Sequence, residues 1–145
     1  MSLANIFDIA GSGMAAQSLR LNTVASNIAN ANSVSSNTDE TYRAKQPVFS
    51  EIQRRVEMGG FFEDPIGSAG NGVEVLGVIE SEAPLRKQFE PNHPMADDDG
   101  YVSYPNVNIV EEMANMISAS RSFQTNVEIM DTAKTMMQRV LSMGQ

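Results

Sequence analysis

The sequence contains no cysteine, no tryptophan and a single histidine, and only 6% of its 145 residues are aromatic. Without cysteine there is no disulfide, no thiolate chemistry and no Cys-ligated metal. A lone histidine, His93, excludes a His-pair metal site. It sits between Asn92 and Pro94, no nucleophile or carboxylate motif accompanies it, and it reads as a turn residue rather than a catalytic base. A compact monomer of this length would normally bury more large rings, so their scarcity already argues against a self-sufficient core. No apolar run is long enough to cross a bilayer, so no membrane insertion is expected. The first basic residue is Arg20, so no charged segment precedes an apolar one at the N-terminus, as a Sec-type signal would require. The chain is therefore expected to stay in the cytoplasm or to leave it by a route that keeps the N-terminus intact.

Positive charge is also scarce, with 10 Lys and Arg against 18 Asp and Glu, a net charge of −8. Such a chain repels phosphate backbones, and nucleic acid is not an expected partner. The deficit is uneven: residues 1–31 are net neutral, residues 106–145 carry −1, and residues 32–105 carry −7. Near-neutral ends suit packing against each other, and the acidic middle suits solvent.

What is present is periodicity at both ends. Phe7, Ala10, Met14, Gln17, Leu21, Val24, Ile28 and Ala31 recur at alternating spacings of three and four, a heptad seam over Leu3 to Ala31 with only Gln17 polar. Gly11 and Gly13 weaken that helix by about 1 kcal/mol each relative to alanine, so it needs a partner. The last segment repeats the pattern through Ile109, Met113, Met116, Ser120, Phe123, Val127, Met130, Lys134, Met137 and Leu141. Asn108 stands at the N-cap with Glu111 three residues on, Arg139 suits the C-terminal end, and Gly144 suits the position after it. Six methionines lie on this helix. Their unbranched, adaptable side chains suit packing against non-identical neighbours.

Between the helices the sequence reads as short strands and turns. Tyr42 to Val48 forms one strand, confined to an edge or ended by Pro47. Gly59-Gly60 and Asp64 to Gly67 punctuate the next stretch, and Gly70 to Gly72 turns into a β-branched run through Ile79. Leu85 to Phe89 forms another short strand, and Asn92 to Gly100 a polar loop. The expected fold is α+β, with long N- and C-terminal helices in a coiled-coil-like hairpin and a small β-rich insert projecting sideways at their far end. The divisions are 1–33, 34–105 and 106–145. A two-helix pair leaves half its apolar surface wet, so burial must be completed by other copies or related chains.

Two motifs suggest chemistry and fail their structural conditions. Gly11 to Ala16 matches the G-x-G-x-x-A dinucleotide turn, but only ten residues precede it and the helical seam runs through it. Close helix approach or flexibility explains those glycines better. Asp97-Asp98-Asp99-Gly100 lacks the alternation and terminal glutamate of an EF-hand loop and reads as a solvated turn. No cofactor, metal or catalytic residue is expected, and the chain does not read as an enzyme.

Phe7 to Met14 and Leu21-Asn22-Thr23-Val24-Ala25-Ser26-Asn27-Ile28-Ala29-Asn30-Ala31-Asn32 resemble the N-terminal signature of the axial proteins of the bacterial flagellum, the rod, hook and hook-associated families. Tyr42-Arg43-Ala44-Lys45, Tyr101 to Asn108 and the tail from Glu111 to Val140 are similar to the proximal rod proteins in particular. The segment Val34 to Thr41 departs from the pattern by lacking glycine. The resemblance implies export through the flagellar type III apparatus without cleavage and polymerisation across the periplasm. It implies partners among other rod proteins and copies of itself, and at the base the adaptor joining rod to MS ring. The assembly interface is expected on the two seams: Phe7, Met14, Leu21, Val24 and Ile28 on one, and Ile109, Met113, Met116, Phe123, Val127, Met130, Met137 and Leu141 on the other. The alternative is a soluble coiled-coil adaptor or chaperone that binds partner helices.

Overall fold

A computed structural model describes residues 3–52 and 72–143. The turns expected at Gly59-Gly60, Asp64 to Gly67 and Gly70-Asn71 lie outside the described residues, as does Gly144. Two long helices, α1 (Leu3–Asn30) and α2 (Ile109–Met143), bracket four strands: β1 (Lys45–Glu51), β2 (Val73–Glu80), β3 (Arg86–Phe89) and β4 (Tyr101–Tyr104). The architecture is α+β, with a small antiparallel insert between two terminal helices.

α2 begins where Asn108 caps it: the Asn108 Oδ1 accepts the Val110 N–H at 3.1 Å, and the Asn108 carbonyl takes the Glu112 N–H at 2.9 Å. Glu111 and Glu112 then fall in the first turn, where the dipole favours acids. The last turn of α2 carries no base, since Arg139 falls just short of it. α1 ends in a tightened turn, with the Ala31 N–H on the Ile28 carbonyl. The Ser33 hydroxyl donates to the Asn30 carbonyl at 2.7 Å. The glycine-free stretch after it satisfies its own backbone. Ser35 Oγ takes the Asn37 N–H, Asn37 Oδ1 takes the Asp39 N–H, and the Thr41 hydroxyl donates to the Asn37 carbonyl.

The strands form two separate two-stranded antiparallel sheets, β1–β2 and β3–β4. Pro47 lies inside β1 opposite Val78. A proline fits there because β1 has one unpaired edge. The register shifts between Val48 and Phe49, leaving Leu76 of β2 without a partner and 67% exposed. β4 is too short, at four residues, for its alternation to stand out in the sequence. A bridge from Ser35 to Ser103 ties the chain after α1 onto it.

The helices run antiparallel: Arg20 donates to Asn115 at 3.1 Å, Gly13 lies against Asn126, and Ile6 shares a groove with Ala133 and Met136. On α2 the contact line is displaced from the expected seam, whereas α1 buries Ala10 and Val24 of its own seam. On α2 the buried residues are Glu112, Ala119 and Ala133; on α1 they include Ala10, Ala16, Val24 and Asn27, with Ala31 just after it. Small side chains let the two backbones close up, so the larger residues of each heptad straddle the contact instead of filling it. The insert also departs from expectation. Rather than projecting at the far end, the β1–β2 pair lies along α1, bonded to it near Asn27 at one end and Ser12 at the other.

Candidate assembly surface

Besides Pro105, the buried apolar side chains among those described are six alanines and two valines: Ala10, Ala16, Val24, Ala31, Ala44, Val102, Ala119 and Ala133. No leucine, isoleucine, methionine or phenylalanine joins them. A buried methyl contributes only about 0.8 kcal/mol, against about 1.5–3 kcal/mol for a Leu or Phe side chain. Among the described residues, the chain therefore buries its smallest apolar groups and leaves the largest in contact with water. Exposed ones on α2 include Val110 (76%), Ile117 (56%), Val140 (63%) and Leu141 (67%). Near the open end of the hairpin, Ile6, Thr125, Ile129, Ala133 and Met136 line an apolar groove of about 350 Å³.

The residues expected at the assembly interface divide into three groups. Val24 is buried. Phe7, Met14, Leu21, Ile28, Met116, Phe123 and Met130 are half-buried beside the contact line. Ile109, Met113, Val127, Met137 and Leu141 are exposed.

Polar side chains that the apolar periodicity passes over hold the insert to the helices. Asn27, 1% exposed, clamps one residue of β1. Its Nδ2 donates to the Lys45 carbonyl at 2.9 Å, and its Oδ1 accepts both the Lys45 N–H and the Tyr42 hydroxyl at 2.9 Å. The carboxamide thus pairs with both backbone groups of Lys45, as a neighbouring strand would. Asn106, just ahead of α2, bridges two segments of the insert instead, the residue before Lys45 and the turn after β2. Its Oδ1 takes the Ala44 N–H at 2.8 Å and its Nδ2 donates to the Ala83 carbonyl at 2.9 Å. The signal for Asn27 was its inward helical position, three residues from Val24 and four from Ala31.

The Gly-Ser-Gly of α1 has a structural use on two sides. A Cβ on Gly13 would lie 2.8 Å from Asn126 Nδ2 on α2. The Ser12 hydroxyl donates to the Ile9 carbonyl and accepts the Val73 N–H at 3.1 Å, which docks the start of β2. Gly72 meets Ser12 at that point with φ +128°, and a Cβ there would collide with the Ser12 hydroxyl. Gly11 faces open space. Gly72→Ala is therefore expected to destabilise the chain by about 1–3 kcal/mol. Gly11→Ala should be neutral or stabilising by up to about 1 kcal/mol. Urea unfolding of the two variants side by side checks the contrast.

His93 accepts the Met95 N–H through Nδ1, and Asp97 Oδ1 accepts the Asp99 and Tyr101 N–H groups. Both residues fold their own loop. Among the described residues no group of three or more acids or histidines is placed to hold a metal ion, and no helix is long and apolar enough to cross a membrane.

Two family descriptions match the ends of the chain. Residues 7–35 match "Flagella basal body rod protein", and residues 98–143 match "Flagellar basal body rod FlgEFG protein C-terminal". Over its whole length the chain is similar to flagellar basal-body rod proteins named FlgC. It is 50% identical to that of Salmonella typhimurium over 145 residues, covering all of both chains. It is also 50% identical to that of Escherichia coli O157:H7, again with full coverage of both. Identity to the FlgC of Borreliella burgdorferi is 33% over 151 residues, with 100% of this chain and 99% of the relative covered.

Proposed function

Since the chain belongs to the FlgC family of flagellar basal-body rod proteins, we propose that its wet apolar helix surface is the surface through which it is built into the rod. The chain is a structural subunit of the basal-body rod, and it assembles with other rod components for motility. One observation supports this use of its surface: among the described residues the buried apolar side chains are, besides Pro105, only alanines and valines, while residues such as Val110, Ile117 and Leu141 face water. An isolated fold of that kind leaves apolar area for neighbours to cover. The soluble adaptor or chaperone reading is not supported, because both end matches and the full-length relatives are flagellar rod proteins.

On this reading the protein has no catalytic role. Its mechanism is mechanical: stacked helices transmit torque through many weak apolar contacts, with methionines adapting to non-identical neighbours. The divisions 1–33 and 106–145 supply the assembly helices, and 34–105 supplies the insert. The two seams, from Phe7 to Ile28 and from Ile109 to Leu141, carry the contacts. The subunit reaches the periplasm uncleaved through the flagellar export apparatus, and its neighbours include the adaptor between rod and MS ring. The thin core fits passage through such a channel, because little packing must be undone. The test is genetic and biochemical. In its own host, deletion of the gene should abolish swimming, and a tagged copy should restore it and be recovered in purified basal bodies at its full translated length. Swimming that survives the deletion, or a tagged chain confined to the cytoplasm, would refute the proposal.

A further inference from the structure

The side of α2 that faces the insert carries an unusual group. Glu112 is only 8% exposed, and its Oε2 has no hydrogen-bond partner among the described residues. It borders a polar cleft of about 420 Å³ that opens between α1, β1 and the start of α2, together with Glu111, Arg20, Lys45 and Asn115. Neither base of the cleft forms an ion pair with Glu112: Arg20 donates to Asn115, and Lys45 lies 3.7 Å from Glu80. A buried carboxylate without a donor is costly, so a donor from outside the chain gains more there than at an open surface.

The same helix offers that donor on its other side. Arg121 is exposed and forms no ion pair among the described residues. Glu112 and Arg121 are nine positions apart, about two and a half turns, so they project from opposite sides of α2. Val110 and Ile117, 76% and 56% exposed, lie close to the azimuth of Arg121 and would exclude water around it.

We propose that the cleft at Glu112 receives Arg121 of a second copy of this chain. The inference rests on the reading of the chain as a rod subunit and adds a specific contact to it. Donor and acceptor lie on opposed faces, so each copy gives one arginine and receives one. That is a heterologous, head-to-tail contact, which propagates along an array instead of closing a dimer. The charge also counters the mutual repulsion of chains that each carry −8.

The experiment is a charge swap in a host lacking its own copy of the gene, read by swim-ring expansion and by the yield of rods in purified basal bodies. Glu112→Arg and Arg121→Glu should each lower rod yield on the order of tenfold or more, as breaking a buried charge pair does at other interfaces. The double variant should recover most of it, and Glu112→Arg combined with Arg139→Glu should not. Glu112→Gln separates contact from folding, because it should melt no lower than the wild type yet assemble poorly. A double variant no better than the worse single one would overturn the pairing, as would recovery with Arg139→Glu. Suppressors of Glu112→Arg that map to a different rod protein would move the donor off the second copy and equally overturn it. Restoration of swimming by the unmodified chain in the same host tests the rod assignment separately.

Discussion

Asn27→Ala is expected to destabilise the chain by about 3–5 kcal/mol, a large share of the roughly 5–15 kcal/mol that holds a domain of this size together. The substitution removes one small side chain, strands the Lys45 N–H and carbonyl, and leaves the Tyr42 hydroxyl only its longer bond to Ser26 at 3.3 Å. Each buried group left without a partner costs about 1–3 kcal/mol, and Asn27 itself is only 1% exposed. The damage should be local in origin and wide in effect, because Asn27 couples the end of α1 to the entry of β1, and Asn106 couples the next residue to the start of α2. Denaturant unfolding gives the free energy, and hydrogen exchange at the Lys45 amide identifies the bond. A loss below about 1 kcal/mol would mean that the insert docks by other means.

Ile117→Glu and Leu141→Glu are expected to behave in the opposite way. The two side chains are 56% and 67% exposed, so charging them in the dilute subunit should change its stability by no more than about 0.5 kcal/mol. In the rod the same charges would be buried against neighbours without a partner, and assembly should fail. The paired readout is a denaturation curve of the purified variant and swimming of the strain that carries it. A variant that swims normally would remove that part of α2 from the interface.

The long helices, the β-branched run of β2 and the rough place of β3 were legible because periodicity over several turns or an uninterrupted run of valines leaves little choice of structure. The line along which the helices touch was not. A seam chosen by size and apolarity follows Met113, Val127 and Leu141, whereas the two backbones meet at Ala119, Asn126 and Ala133. Close approach selects small residues, and hydropathy gives an alanine or a glycine little weight. Asn27, Asn106 and Ser12 escaped notice for a related reason. Their importance lies in backbone groups distant in sequence, and one chain carries no mark of which peptide a carboxamide will meet. Ser12 stood out only within a nucleotide motif it does not serve, whereas Gly13 was legible as a place for close helix approach and lies against Asn126. The turn readings of His93 and of Asp97 to Asp99 were legible because loop-forming residues bond their own backbone within a few positions.

The central claim is that large apolar residues open to water in the single chain become covered in the rod. The chain has no cysteine, so Met113→Cys, Val127→Cys and Leu141→Cys, introduced one at a time, report on single positions without background. Maleimide labelling of each variant should be fast in the dilute subunit and strongly suppressed in purified basal bodies. Equal labelling rates in the two preparations at all three positions would contradict the account.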